Sequence, residues 1–237
     1  VFENKLFWPS IWFTLEYTVI VTIFLLVLGL GMAMIVQESS KWNNVLRTCF
    51  LLPSATGLAS ASLLFYALYS PQVGPVTKIL SSLGLMQEGG SVLATGQSAL
   101  WATIIVIVWR FSGYYMLLMM IGLQAIPGDL YEAARMDGAR AWDILVKINL
   151  PMAMPIVVVY FIVGFIGNWN DYSTMLVYME SYPTLSSGLY LFEASRTYAG
   201  PPVYFAAIFI SAIPAVTLFL IFNKSLVQNL TIGGLKG

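Results

Sequence analysis

The sequence predicts an all-α polytopic membrane protein with five transmembrane helices, and three observations carry that reading. The 237 residues are 59% hydrophobic and 9% charged, a balance too apolar for an ordinary soluble domain. Five stretches reach the roughly 20 mostly apolar residues that a helix needs to cross a bilayer. Basic residues also fall unevenly between alternate connections, as they do in a chain threaded back and forth through a membrane.

The first span runs from Ile11 to Val36, where Gly29-Leu30-Gly31 leaves a slim face for close helix approach. The second runs from Cys49 to Tyr69, with small residues at Ser60 to Ser62 in the same role. The third, Ser98 to Ile126, is the longest and is expected to tilt or to project past the bilayer. Pro127-Gly128 stops it, since proline lacks the donor that continues a helix and glycine relaxes the backbone. The fourth and fifth run from Pro151 to Trp169 and from Val203 to Phe222. The connections are Gln37 to Thr48, Ser70 to Gln97, Pro127 to Leu150 and Asn170 to Pro202. The second and fourth of these, rich in Gly, Ser and Pro, read as loops. The whole chain, 1–237, reads as a single transmembrane domain with a polar hairpin at 127–150 and a polar tail at 223–237.

Alternate connections share a side. The first, the third and the tail hold Lys41, Arg47, Arg135, Arg140, Lys147, Lys224 and Lys236, against Lys5, Lys78 and Arg196 opposite. Retention of basic residues on the inner side places the 127–150 hairpin and the C-terminus in the cytoplasm. The N-terminus then lies outside, and Val1 is not an initiator methionine, so a further span is expected upstream. A cleaved signal peptide is the alternative, although the first ten residues show no small-residue cleavage pattern.

Composition excludes several classes. Eleven basic and eleven acidic residues cancel, which gives no pull toward nucleic acid. With no histidine and with Cys49 alone, there is no internal disulfide, no thiolate–imidazole nucleophile and no His/Cys metal cluster. An intramembrane enzyme would need a catalytic dyad or metal cluster at membrane depth, and none is apparent. No GxxxxGK[ST] loop occurs, so ATP-driven work belongs to another subunit and no cofactor is expected on this chain.

The hairpin concentrates the charge that the spans lack: Asp129, Glu132, Arg135, Asp137, Arg140, Asp143 and Lys147. Asp129 is expected to cap a helix and Glu132, three residues on, to reach back to the Asp129 amide as in a capping box. Ala133 and Ala134 favour helix and keep its surface slim. Gly138 permits a turn that a side chain would resist. A second short helix is expected beyond it, with Ala141, Ile144, Leu145 and Ile148 on one face, until Pro151 opens the fourth span.

Glu132-Ala133-Ala134, Gly138, Ile148, Leu150 and Pro151 together resemble the EAA-x3-G-x9-I-x-L-P motif of permease subunits in bacterial ATP-binding-cassette importers. Arg47 with Leu52-Pro53, Ser70-Pro71 through Gly74, Leu123 to Pro127, Trp169-Asn170-Asp171 and the Gly233 to Gly237 ending resemble the carbohydrate-uptake, maltose-type branch. The resemblance implies a type I importer permease fold with six or more spans in the intact chain, multi-pass in the bacterial plasma (inner) membrane. It implies that Tyr131 to Lys147 is a coupling helix seated on an ATPase, with Glu132, Ala133, Ala134, Asp137, Gly138 and Arg140 as coupling residues. The implied partners are a second permease forming a heterodimer, two ATPase subunits carrying ATP and Mg2+, an extracytoplasmic solute-binding protein, a sugar, and membrane lipid, with no nucleic acid. The Val227 to Gly237 tail resembles a segment that reaches the ATPase dimer interface in some relatives. The first half resembles one permease type of these importers and the Gly-Leu-Lys-Gly ending the other. Import of another solute, such as a glycerophosphodiester or an amino acid, and a non-transporting membrane anchor are the alternatives.

Inside the membrane, Arg110 sits near the middle of the third span, a costly position that faces a pathway or a partner, with Glu16 and Asp171 as candidate partners. Trp109, Arg110, Tyr114, Asn168, Asn170 and Asp171 form the candidate substrate path, joined by Tyr115 and Trp169, since aromatic faces stack on sugar rings and amides exchange hydrogen bonds with hydroxyls. Packing between spans and snorkelling are the competing roles for the same residues. On the outer loops, Glu180, Tyr182, Glu193, Arg196 and Tyr198 are candidate contacts for the binding protein.

Overall fold

The structure, a computed structural model, describes residues 7–87, 89–178, 184–195 and 201–232, and the regular elements among them are helices. In order these are α1 (Phe7–Val36), α2 (Lys41–Ala55), α3 (Leu58–Leu68), α4 (Pro75–Ser82), α5 (Gly96–Gln124), α6 (Gly128–Met136) and α7 (Ala141–Ile144). A π turn (Leu145–Asn149) then leads into α8 (Leu150–Trp169), followed by α9 (Ser173–Tyr178), α10 (Leu185–Ser195) and α11 (Pro201–Ile232).

Among the described residues, four helical stretches are each long and apolar enough to cross a membrane: Phe7–Val36, Gly96–Gln124, Trp142–Trp169 and Pro202–Asn223. The expected fifth span, Cys49 to Tyr69, is not one helix: α2 ends at Ala55 and α3 begins at Leu58. The break falls at Gly57, whose extended backbone (φ −61°, ψ 151°) stands just ahead of α3. Counted as one span, the pair brings the total to five.

Several boundaries differ from the sequence reading. The connection drawn to Thr48 is helical from Lys41, and the outer connections read as loops hold α4, α9 and α10. Each of these short helices has a local reason to start. Pro75 opens α4 with its φ already set. The Thr184 hydroxyl accepts the Ser187 amide at 3.3 Å ahead of α10, and the Asp171 carboxylate accepts the Thr174 amide at 3.1 Å in the first turn of α9. At the other end, α11 continues through Asn223 to Ile232, so most of the expected polar tail is helix, while Gly233 to Gly237 lie outside the described residues.

The chain forms two compact units. The first takes the described residues of 1–21, 55–110 and 165–216. Its interior includes Tyr17, Leu100, Ile107, Trp169 and Met175. Side-chain to backbone hydrogen bonds stitch distant elements there, as a water-free interior demands. Thr14 Oγ1 accepts the Leu185 amide at 2.8 Å, Tyr178 donates to the Ser62 carbonyl at 3.1 Å, and Trp169 Nε1 donates to the Ser211 carbonyl at 3.0 Å.

The second unit takes the described residues of 22–54, 111–164 and 217–237, with Leu25, Met116, Met119, Leu123 and Ile162 buried inside it. Its helices approach closely at glycine. A Cβ on Gly113 of α5 would overlap the Phe50 carbonyl of α2, and one on Gly29 of α1 would lie 2.8 Å from the Tyr115 Cβ. Gly31 faces open space, so of the expected Gly29-Leu30-Gly31 seam only its first residue makes the close approach.

Candidate functional site

The 127–150 hairpin lies wholly within the second unit. Its first helix starts differently from the expected capping box. Pro127 occupies the N-cap position with no side-chain cap, and Asp129 stands in the first turn, where its charge faces the helix dipole without capping a donor. Because proline at that position fixes the backbone ahead of Gly128, α6 begins without help from Asp129 or Glu132.

Its end is fixed by hydrogen bonds. The Gly138 amide donates to the Arg135 carbonyl at 3.1 Å and the Ala139 amide to the Ala134 carbonyl at 2.9 Å. This is a Schellman motif, and it holds Gly138 at φ +75°, a conformation that side chains resist. An arrangement akin to the box expected at Asp129 and Glu132 forms at the next helix instead. Arg140 precedes α7, its carbonyl accepts the Ile144 amide at 3.1 Å, and the Asp143 carboxylate reaches back to the Arg140 amide at 3.2 Å. Lys147 Nζ holds the same carboxylate at 2.7 Å, a turn further along.

From Trp142 to Trp169 the helix is continuous, so Pro151 does not open a separate element. The π turn precedes it, and there the Leu150 amide bonds the Leu145 carbonyl five residues back. The second short helix and the fourth span are therefore one rod.

Exposure sorts the hairpin into two faces. Glu132, Ala133, Asp137, Gly138 and Arg140 are exposed, and Ala134 is half-buried. Beside them stand two large apolar side chains that the motif does not include, Met136 at 83% exposed and Trp142 at 72%. Both are large apolar side chains left in the open near charged Glu132, Asp137 and Arg140 in the sequence. The inward face belongs to Tyr131. Its hydroxyl donates to Asn149 Oδ1 at 2.8 Å and accepts from Gln37 Nε2 at 3.3 Å. Behind Gln37, the Arg47 guanidinium of α2 donates to the carbonyls that end α1, with Nε 3.0 Å from Val36 O and Nη2 3.2 Å from Gln37 O. A cavity of about 710 Å³ opens between these elements, lined by Gln37, Tyr131, Glu132, Arg135, Trp142 and Asn149 among others. The Arg135–Glu38 pair at 3.8 Å is exposed on both sides and contributes little.

The candidate substrate-path residues are distributed differently. Trp109, Arg110, Asn168, Asn170 and Asp171 lie in the first unit and Tyr114 in the second. Trp109 packs edge-on to Phe65 at 5.1 Å, and Tyr114 is exposed with its ring 6.2 Å from that of Tyr115. Asn170 donates to the Ile166 carbonyl at 2.8 Å and Asp171 caps α9, so both spend polar atoms on local structure. Arg110 and Asn168 are half-buried, and Glu16, the other candidate partner of Arg110, is exposed. Of the candidate outer contacts, Glu193 is exposed and accepts from the Tyr204 hydroxyl at 2.8 Å, whereas Glu180, Tyr182, Arg196 and Tyr198 lie outside the described residues.

Comparison with known proteins bears on this geometry. Residues 25–232 match the model of the family described as binding-protein-dependent transport system inner membrane component. The trehalose/maltose transport system permease protein MalF of Thermococcus litoralis is 35% identical over 159 residues, covering 67% of this chain and 53% of that protein. The arabinooligosaccharides transport system permease protein AraP of Bacillus subtilis is 27% identical over 241 residues, covering 99% of this chain and 74% of that one. The chain thus spans about half the length of the first of these relatives. In fold it is similar to a chain of a bacterial alginate ABC transporter crystallised with an alginate pentasaccharide-bound periplasmic protein. The TM-score is 0.82 at 22% identity, covering 94% of this chain and 79% of that one.

Proposed function

The chain belongs to the family of binding-protein-dependent transport system inner membrane components, and from that premise we propose that it is a permease subunit forming the membrane pathway of a sugar or oligosaccharide importer. The observation that carries the mechanism is the continuity of helix from Trp142 to Trp169. A subunit docked on α7 pushes on a helix that continues into the membrane, and one docked on α6 acts on it through the Gly138 turn.

In this reading the hairpin faces the cytoplasm, as the distribution of basic residues favours. Each of two ATPase subunits binds ATP and Mg2+ and receives one coupling hairpin, ours and that of a second, different permease. Met136 and Trp142 supply the apolar contact, Glu132, Asp137 and Arg140 the charged rim, and Gly138 the turn that presents them. Closure of the ATPases on ATP draws the hairpins together and shifts the spans from inward-open to outward-open, each ligand selecting the state it binds better. A binding protein on the outer face delivers the solute. The carbohydrate reading is supported by relatives whose names specify trehalose/maltose and arabinooligosaccharides. This chain supplies the path and the transmission, and hydrolysis occurs on its partners.

The test is purification of the complex, reconstitution in liposomes with candidate sugar-binding proteins, and measurement of ligand-stimulated ATP hydrolysis and uptake. Sugar uptake that depends on ATP and on the binding protein supports the reading. Absence of a co-purifying ATPase overturns it, and uptake of an amino acid or a glycerophosphodiester in place of sugars overturns the substrate class.

A further inference from the structure

We propose that Tyr131, through its hydroxyl bridge to Asn149 and Gln37, is the positioning residue that transmits movement of α6 into two membrane helices, and that this bridge is distinct from the surface that docks the ATPase. The proposal rests on the transport reading above, and its test separates the two.

Tyr131 has neighbours of opposite fate on its own helix. Glu132 and Ala133 are exposed, Glu132 at the lining of the cavity it shares with Tyr131, whereas the Tyr131 hydroxyl is engaged with Asn149 and Gln37. The two partners sit on different membrane elements. Gln37 follows the last residue of α1, and its backbone is fixed by the Arg47 guanidinium. Asn149 is the last residue of the π turn that leads into α8, and it is buried.

Three hydrogen-bonding groups in a row share one direction. Gln37 Nε2 donates to the phenol, and the phenol donates to Asn149 Oδ1. Such chains polarise one another and strengthen, and breaking the middle member removes both bonds at once. The position in the chain also matters. Backbone connects α6 to α8 only through the Gly138 turn and α7, and α6 meets the end of α1 through side chains: the phenol on Gln37 and, more weakly, the exposed Arg135–Glu38 pair.

The cavity of about 710 Å³ lined by Gln37, Tyr131 and Asn149 gives the ring room to leave its partners. A bond pair beside free space can be made in one state of the transporter and broken in another, as a switching element requires. A contact sealed on all sides would lack that freedom.

Tyr131→Phe removes the hydroxyl and keeps the ring. In the reconstituted complex we expect Tyr131→Phe to retain its ATPase subunits and its ATP hydrolysis, and to raise the ATP consumed per solute imported roughly two- to tenfold, the range of one net hydrogen bond, set by the 2.8 Å bond to buried Asn149 with the longer 3.3 Å Gln37 bond adding little. Asn149→Leu, of similar shape, is expected to do the same, and the double variant to be no worse than either single, because the residues act as one unit. The ratio of hydrolysis to uptake is the informative readout, since a residue with a purely structural role lowers both together and leaves it unchanged. An unchanged ratio in Tyr131→Phe, or effects of the two substitutions that multiply, overturns the proposal. If Tyr131→Phe loses its ATPase, the bridge is not separate from docking and the proposal fails on that ground. Loss of the ATPase from the unmodified complex refutes the transport reading instead.

Discussion

Gly138 allows the proposed docking role of the hairpin to be separated from its folding. The residue sits at φ +75°, and a Cβ placed on it meets nothing within 4 Å. Conformation and size therefore act in different settings. In the isolated permease any ordinary L-residue at this φ carries a backbone penalty of about 1–2 kcal/mol, and asparagine a smaller one because it enters the left-handed region more readily. Size costs nothing there, so Gly138→Ala and Gly138→Trp should weaken the hairpin equally and Gly138→Asn less than either. A partner seated over the turn changes the comparison, because alanine still fits under a close contact and an indole does not. Where the turn stays folded, the backbone penalty of Gly138→Ala is present in the free and the docked permease alike and cancels, so its affinity for the ATPase should stay close to that of the unmodified protein. In Gly138→Trp it should fall at least about tenfold, the scale of about 1.4 kcal/mol. The assay has two arms: unfolding of the purified permease in mixed micelles, and titration of the same variants with purified ATPase. Equal ATPase affinity in the alanine and tryptophan variants would show that nothing docks over the turn, and unequal unfolding of the same pair would show that the space around Gly138 is not open.

Other substitutions probe the surrounding structure. Gly113→Ala forces a Cβ onto the Phe50 carbonyl, a backbone atom that cannot rotate away, and should destabilise the permease by about 1–3 kcal/mol in the same unfolding assay. Gly31→Ala, which meets open space, should gain up to about 1 kcal/mol from helix propensity. Arg47→Met strips charged donors from the carbonyls that end α1 and should cost about 1.5–3 kcal/mol, read by the same denaturation. Glu132→Lys alters an exposed side chain and should leave unfolding within about 0.5 kcal/mol while uncoupling hydrolysis from uptake or releasing the ATPase, measured on proteoliposomes.

How much of this is legible in the sequence depends on the range of the interaction. The turn at Gly138 is readable because its cause is local: one residue type tolerates that φ, and the two bonds that hold it span a few residues. The start of α6 misleads for an equally local reason. Asp129 and Glu132 have capping-box spacing, but Pro127 already occupies the cap position, and the box rule does not weigh an upstream proline. At Arg140 and Asp143 the rule gives no signal, because it looks for a hydroxyl or carboxyl cap although only the backbone amide of Arg140 is needed. Loop-like composition hides helices α4, α9 and α10, even with Pro75, Asp171 and Thr184 in view as starts. The Tyr131 bridge is out of reach. Its partners lie 18 and 94 positions away, and neither helical period nor residue type announces such pairings.

The same contrast explains why the motif leaves out residues that the geometry brings in. A motif records positions that have fixed chemistry at fixed spacing, such as the glycine that must turn and the small residues that must stay slim. Met136 and Trp142 need only present apolar surface beside that frame, and many residues would serve. Asn149 occupies the unspecified position of Ile-x-Leu-Pro, yet it receives the Tyr131 hydroxyl and ends the π turn that carries the helix up to Pro151. The π turn lets the rod reach that proline without a break, because the Leu150 amide takes the carbonyl five residues back, so the helix widens there and is not interrupted. The proposed docking peg, the phenol bridge and the helix that follows thus sit within one stretch of chain, with the motif marking the peg and the beginning of the helix and the bridge lying between them.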